Sequence, residues 1–310
     1  MMDIEPYSAE QKRHVREVQD LWARYAPLMA ESRDLVGGMQ WKTIRGREYL
    51  YRYAPDPVTK KKRSTSLGPR TAEIEAIYAR FMERRTLVKL DLPPLEEAVS
   101  TQARVSKALR LGRLPRATGE FLGKLGNSGL GAHLVVTSEL AMFGYETVFT
   151  REFPSIETPA LQFMLLDDAI AVDLLTELAS AFPGVTSRQH RSGKIALAYE
   201  DIHFEIWSRA DFMGELEHQG EYDQVYCIGE RLEGDPIATF TFDRSGRPVP
   251  LSVPDPIAFS MMATVRGGID AELGPTLARL ATRSGRFELE DLEIETFPEL
   301  AAHLDLGPRL

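Results

Sequence analysis

Apolar positions change period several times along the chain, and each change marks a predicted element. Val15, Val18, Trp22, Tyr25 and Met29 recur at helical spacing behind Ser8 and Gln11, which together fit a capping box. This predicts a helix of roughly five to six turns that ends before Gly37-Gly38. From 39 to 67 the period falls to two: Tyr49, Tyr51 and Tyr53 alternate with Leu50 and Arg52, Gly46 supplies a turn, and Pro55 and Pro57 interrupt before a further polar strand. The expectation there is a small antiparallel sheet. Thr71 can cap a helix carrying Ile74, Ile77, Tyr78 and Phe81 to about Leu87, and Pro93-Pro94 predicts a break. A second helix then runs through Leu95 to Leu109, and a shorter one passes through Phe121 and Leu125. GNSGLG (126–131) lacks the ending of a phosphate-cradling loop and reads as a helix C-cap and turn.

Beyond residue 131 short apolar runs alternate with helical patterns. HLVVT (133–137), LQFMLL (161–166) and IHFEIW (202–207) read as adjacent strands of one sheet, with a helix over 138–149 packed on it. Residues 168–182 read as a helix ended by Pro183-Gly184, and 190–208 as strands joined by turns. Asp243 to Gly246 is a hairpin turn between 236–242 and 247–254. Helices are expected near 256–265 and 271–283. Segment 209–235 is acidic and reads as irregular; the five acids between Glu288 and Glu295 read as a solvated face. The fold class is α/β (α+β): a mainly helical N-terminal region with a small antiparallel sheet (1–130), then a mixed sheet flanked by helices (131–310).

The 310 residues contain no apolar run near the roughly 20 that a membrane helix needs. Their polar start lacks the apolar core of a secretory signal. A single cysteine, Cys227, excludes an intrachain disulfide and suits a cytoplasmic setting; its apolar surroundings make it a buried structural residue. Charge is divided unevenly: residues 1–130 hold 24 Lys and Arg against 16 Asp and Glu, and the remainder 13 against 30. Within 41–70 there are nine cations and two acids, interleaved with aromatics. Phosphates need cations and exposed bases stack on rings, so Lys42, Arg45, Arg47, Arg52, Lys60, Lys61, Lys62 and Arg63 are candidate nucleic-acid contacts, with Trp41, Tyr49 or Tyr51 as a stacking partner. A solvated basic loop above a Tyr-rich sheet is the alternative.

AMFGYE (141–146) behind an apolar strand, together with WKTIRGREYLYR (41–52), SLGPRTAEIEAIY (66–78), KALRLGRLP (107–115) and VPDPIAFSMM (253–262), resembles a bacterial family of nucleotidyltransferase-fold proteins. The resemblance implies transfer of a nucleotidyl group from an NTP with Mg²⁺, using a small Gly-Ser or Gly-Thr pair, an Asp-x-Asp and a third acid. Carried across, the small pair falls on Ser138 and Glu139, or on Thr137 and Ser138. Asp-x-Asp falls on Ala160 and Gln162, the third acid on Glu205, and a usual lysine on Ala263. Asp167 and Asp168 could replace the missing acids if the strand ran differently, or else start the following helix. Two functions follow: an Mg²⁺-dependent nucleotidyltransferase with catalytic Glu205, Asp167 and Asp168 and metal ligand Glu205, or a non-catalytic protein of that fold that binds nucleic acid or a protein through its basic N-terminal region.

Overall fold

A two-residue strand, β1 (Glu5–Pro6), leads into α1 (Ala9–Asp34). The expected capping box closes its first turn: Gln11 N donates to Ser8 Oγ (3.1 Å) and Ser8 N donates to Gln11 Oε1 (2.8 Å). The computed structural model describes residues 4–55, 62–154, 156, 159–167, 171–190, 192–267, 269–302 and 304. At 26 residues α1 exceeds the expected length. Strands β2 (Gly38–Ile44), β3 (Arg47–Pro55) and β4 (Lys62–Pro69) form the antiparallel sheet in that order. Arg45 and Gly46 both have positive φ, 51° and 76°, the backbone of a two-residue hairpin turn.

The predicted break at Pro93-Pro94 does not occur. Helix α2 runs unbroken from Ala72 to Ala108 with both prolines inside it. Each proline removes one helix hydrogen bond, from the carbonyls of Lys89 and Leu90. Tertiary packing offsets that loss: Phe81, Val88 and Leu92 of α2 pack with Leu28 and Leu35 from α1 and its C-terminal cap. His14 Nε2 and Ser106 Oγ (2.7 Å) and an Arg84–Glu31 pair (2.5 Å) tie the same two helices at separate levels.

Helix α3 (Arg116–Ser128) ends on Gly129, as expected. Next come β5 (Leu134–Val136), α4 (Ala141–Phe149), β6 (Arg151–Glu152), β7 (Gln162–Leu165), α5 (Ala171–Ala181), β8 (Thr186–Gln189), β9 (Ile195–Tyr199) and β10 (Ile202–Trp207). Five of these strands form one mixed sheet in the order β5-β7-β10-β9-β8, parallel only between β7 and β10. The three strands expected side by side are neighbours. Segment 209–235 is not irregular: it holds α6 (Arg209–Glu217), capped by Ser208, and α7 (Tyr222–Leu232), capped by Glu221 and Gln224. The hairpin β11 (Ile237–Phe242) and β12 (Pro248–Val253) turns at Asp243–Gly246, where Asp243 Oδ1 accepts from Ser245 N and Arg247 N. Helices α8 (Pro256–Arg266), α9 (Ile269–Arg283), α10 (Asp291–Thr296) and α11 (Pro298–Ala302) follow.

Helix α4 packs mainly on the β11–β12 hairpin, where Thr147 Oγ1 donates to Phe240 O (2.6 Å). The Phe121 ring of α3 lies tilted against Phe204 and Phe182, with centroids 4.7 Å and 5.0 Å away, so the core around the five-stranded sheet draws in residues before 131. A second apolar cluster joins Tyr7, Val15 and Val18 to Phe240 and Phe242. The acidic tail is only partly solvated: Glu293 is buried and paired with Arg231, which also reaches Asp255 (3.3 Å). No described helix is long and apolar enough to cross a membrane.

Candidate functional site

The register of β5, β7 and β10 brings the motif positions to one end of the five-stranded sheet. Because β5 is antiparallel to β7, Thr137 N donates to Gln162 O (3.0 Å), and Ser138 Oγ donates to Ala160 O (2.5 Å). Because β10 is parallel to β7, Glu205 sits directly beside Gln162. Thr137, Ser138, Ala160, Gln162 and Glu205 are therefore near neighbours. Asp167 is not among them: five residues beyond Gln162 at about 3.3 Å each, it lies at the other end of β7. Asp168 lies outside the described residues.

What surrounds Glu205 is a cation and an amide. Its Oε1 accepts from Lys194 Nζ (2.7 Å) and its Oε2 from Gln162 Nε2 (3.2 Å), with Glu205 and Lys194 each about a quarter exposed. A divalent cation needs clustered hard anionic oxygens. Here one carboxylate is already balanced by an ammonium, and its other close partner is a carboxamide donor. The hydroxyls of Thr137 and Ser138 are buried; Ser138 spends its proton on a backbone carbonyl, and Thr137 Oγ1 has no partner among the described residues. Glu139, the alternative member of the pair, accepts from Ala160 N (2.6 Å).

Next to Glu205 the polar face of the sheet is hollowed into a trough of about 530 Å³. Its shape follows from sequence: Ala196 and Ala198 stand on β9, between Arg188 and Thr186 on the edge strand β8 and Glu205 and His203 on β10. Alternate residues Leu197, Phe204 and Ile206 point into the core. A more apolar hollow of about 580 Å³ lies where α1, α3 and the β11–β12 hairpin meet, walled by Trp22, Tyr25, Leu122, Phe240 and Pro250, with Arg33 donating to Gly126 O (2.7 Å).

The N-terminal sheet has two unlike faces. Leu50 and Trp41 share the face toward α2, where the Trp41 ring lies 5.9 Å from Tyr78. Arg52 shares it too, with its guanidinium 4.8 Å from the Phe81 ring and Nη2 donating to Asp34 O (2.5 Å). Arg52 and Trp41 are thus framework rather than open binding groups. The outer face carries Tyr49, Tyr51 and Tyr53 in a row, with Lys42 and Lys62 beside them. Lys42 Nζ lies 4.8 Å from the Tyr51 ring and 5.2 Å from Tyr53; Lys62 Nζ lies 4.3 Å from Tyr53. Hydrogen bonding to Tyr53 holds the Lys42 ammonium above its ordinary pKa. Arg45 and Arg47 are exposed at the hairpin end of this face, and Arg63 is exposed on the edge strand. Lys60 and Lys61 lie outside the described residues.

The chain matches no family, no curated protein and no solved structure. Its chemistry must be read from its own groups. Neither Lys194 nor Arg188 stands out in the sequence, and Tyr53 is not among the stacking candidates read there. Lys194 meets Glu205 only through the β9–β10 pairing; Tyr53 shared the visible alternation with Tyr49 and Tyr51.

Proposed function

We propose that this chain binds single-stranded nucleic acid on the outer face of β2, β3 and β4, and that its C-terminal half is nucleotidyltransferase-like without metal-dependent transfer. The supporting observation is the row Tyr49, Tyr51, Tyr53 on a solvent-facing sheet with Lys42 and Lys62 at its rings. Rings offer stacking to any base, and ammonium groups neutralise phosphates at that spacing. Cys227 is consistent with a cytoplasmic setting. Anisotropy titration of labelled single-stranded RNA and DNA pools tests the reading. Lys42→Glu with Lys62→Glu should lower the salt slope by about one unit for each phosphate no longer neutralised, and Tyr51→Ala should cost about 1–3 kcal/mol of binding. Equal, weak binding by wild type and the double variant would leave the lysines as solvated charges.

The competing reading is an active nucleotidyltransferase. It draws support from the shared position of Thr137, Ser138, Ala160, Gln162 and Glu205 at one sheet end. Against it stands the Lys194–Glu205 pair, which a bound cation would have to part. Mg²⁺ with NTP is expected to give little thermal protection. A rise of several degrees that disappears in Glu205→Gln would favour the transferase instead.

A further inference from the structure

The three tyrosines on the outer face of β2, β3 and β4 differ in what lies against their rings. Tyr53 carries two ammonium groups, Lys62 Nζ at 4.3 Å and Lys42 Nζ at 5.2 Å, and Tyr51 shares Lys42 at 4.8 Å. Tyr49 is bare: among the described residues it has no aromatic, cation or hydrogen-bond partner. Half-buried, it stands between Lys42 on β2 and Pro69 on β4, with Ile44, 42% exposed, diagonal to it on the same face. Arg47 is its next neighbour on that face, exposed and without an ion-pair or hydrogen-bond partner among the described residues. Along β3 the face therefore runs from a bare ring beside apolar surface to a ring with two cations, about 13 Å away at about 3.3 Å per residue. Glu48, the single acid in the three strands, turns to the opposite face and pairs with Arg70 (2.7 Å).

We propose that this face works from its two ends: Tyr49 stacks a base, and Lys42 and Lys62, held on Tyr51 and Tyr53, take the neighbouring phosphates of the same strand. The proposal rests on the nucleic-acid reading of the face and divides that face into parts. A base needs an uncovered ring, and of the three tyrosines Tyr49 alone offers one. An ammonium over a ring is held by the ring quadrupole, so Lys42 and Lys62 have less side-chain freedom to lose on meeting phosphate than unsupported lysines. With Glu48 turned away, no carboxylate of the three strands opposes a phosphate here. Bases inside a duplex are covered by their neighbours. The ligand class is accordingly a single strand that presents an unstacked base.

The test is anisotropy of the full chain with two labelled single strands, one of uridines and one of the same length whose sugars carry no base. Stacking on one ring makes wild type prefer the uridine strand by about five- to 150-fold. Tyr49→Ala and the bulkier Tyr49→Leu should each remove that preference, and Tyr49→Phe should keep it. Tyr53→Ala takes away the ring beneath both lysines, so it should weaken the two strands by a similar factor and leave the preference standing. A preference that survives both Tyr49→Ala and Tyr49→Leu, or that disappears in Tyr53→Ala, would overturn the division of the face while leaving it a nucleic-acid surface. Equal binding of the two strands by wild type would do the same. If wild type binds neither strand in a salt-dependent way, the nucleic-acid reading falls and this inference with it.

Discussion

Glu146 is buried on α4, and its carboxylate accepts from Arg113 Nη1 and from Phe153 N (3.1 Å). Burial pushes its pKa up to about 8, and the neighbouring Arg113 charge draws it only partly back. The folded state therefore binds the proton more tightly than the unfolded chain, where the group titrates near 4.5. Between those values the native state carries more protons, so stability falls as pH rises from about 4.5 to about 8 and levels off above. Glu146→Gln removes this titration. Urea denaturation at both ends of the window should show wild type losing a few kcal/mol relative to the variant on going alkaline. Parallel pH profiles for the two proteins would mean that Arg113 keeps Glu146 ionised throughout.

At the scale of elements, the Asp243–Gly246 turn shows how a local signal acquires a distant role. Gly246 has φ of +84°, and a Cβ there would overlap Ala103 O and stand 2.7 Å from Lys107 N, both backbone atoms of α2 that have no room to yield. Gly184 has a similar φ of +91° with nothing within 4 Å of the added carbon. Gly184→Ala should cost about 1 kcal/mol, the conformational part alone, and Gly246→Ala clearly more, at least about 2 kcal/mol. Thermal melts that rank the two equally would show that the turn does not press on α2. Both glycines, the Ser8–Gln11 capping box and the apolar runs of β5, β7 and β10 were legible in sequence because each depends on a few local residues. Helices α6 and α7 were not: Phe212, Leu216, Val225, Ile228 and Leu232 keep helical spacing, but the intervening acids read as an irregular segment. Nor was continuity through Pro93-Pro94, which depends on Leu28 and Leu35 across the helix pair. The candidate site divides in the same way. Alternation in β3 separates tyrosines from Leu50 and Arg52, but α2 decides which set faces water, and Lys194 reaches Glu205 only through sheet pairing.

For the whole molecule, the charge contrast between 1–130 and 131–310 suits two parts with different partners, but packing does not divide there. Val15 and Val18 share a cluster with Phe240 and Phe242, with Trp22 packed against it, and β1 pairs with β6. A fragment of residues 1–130 should accordingly expose that stripe, bind a hydrophobic dye and associate. A soluble, monomeric fragment with the helix content expected from α1, α2 and α3 would show that the first part folds alone. The same cluster sets a timetable for synthesis. The α1 stripe leaves the ribosome early, whereas Phe240 and Phe242 arrive more than two hundred residues later, a delay of roughly 10–40 s at 5–20 residues per second. Throughout that interval the nascent chain carries an uncovered apolar helix face, so chaperone dependence should be concentrated at its first helix and end when the last hairpin emerges.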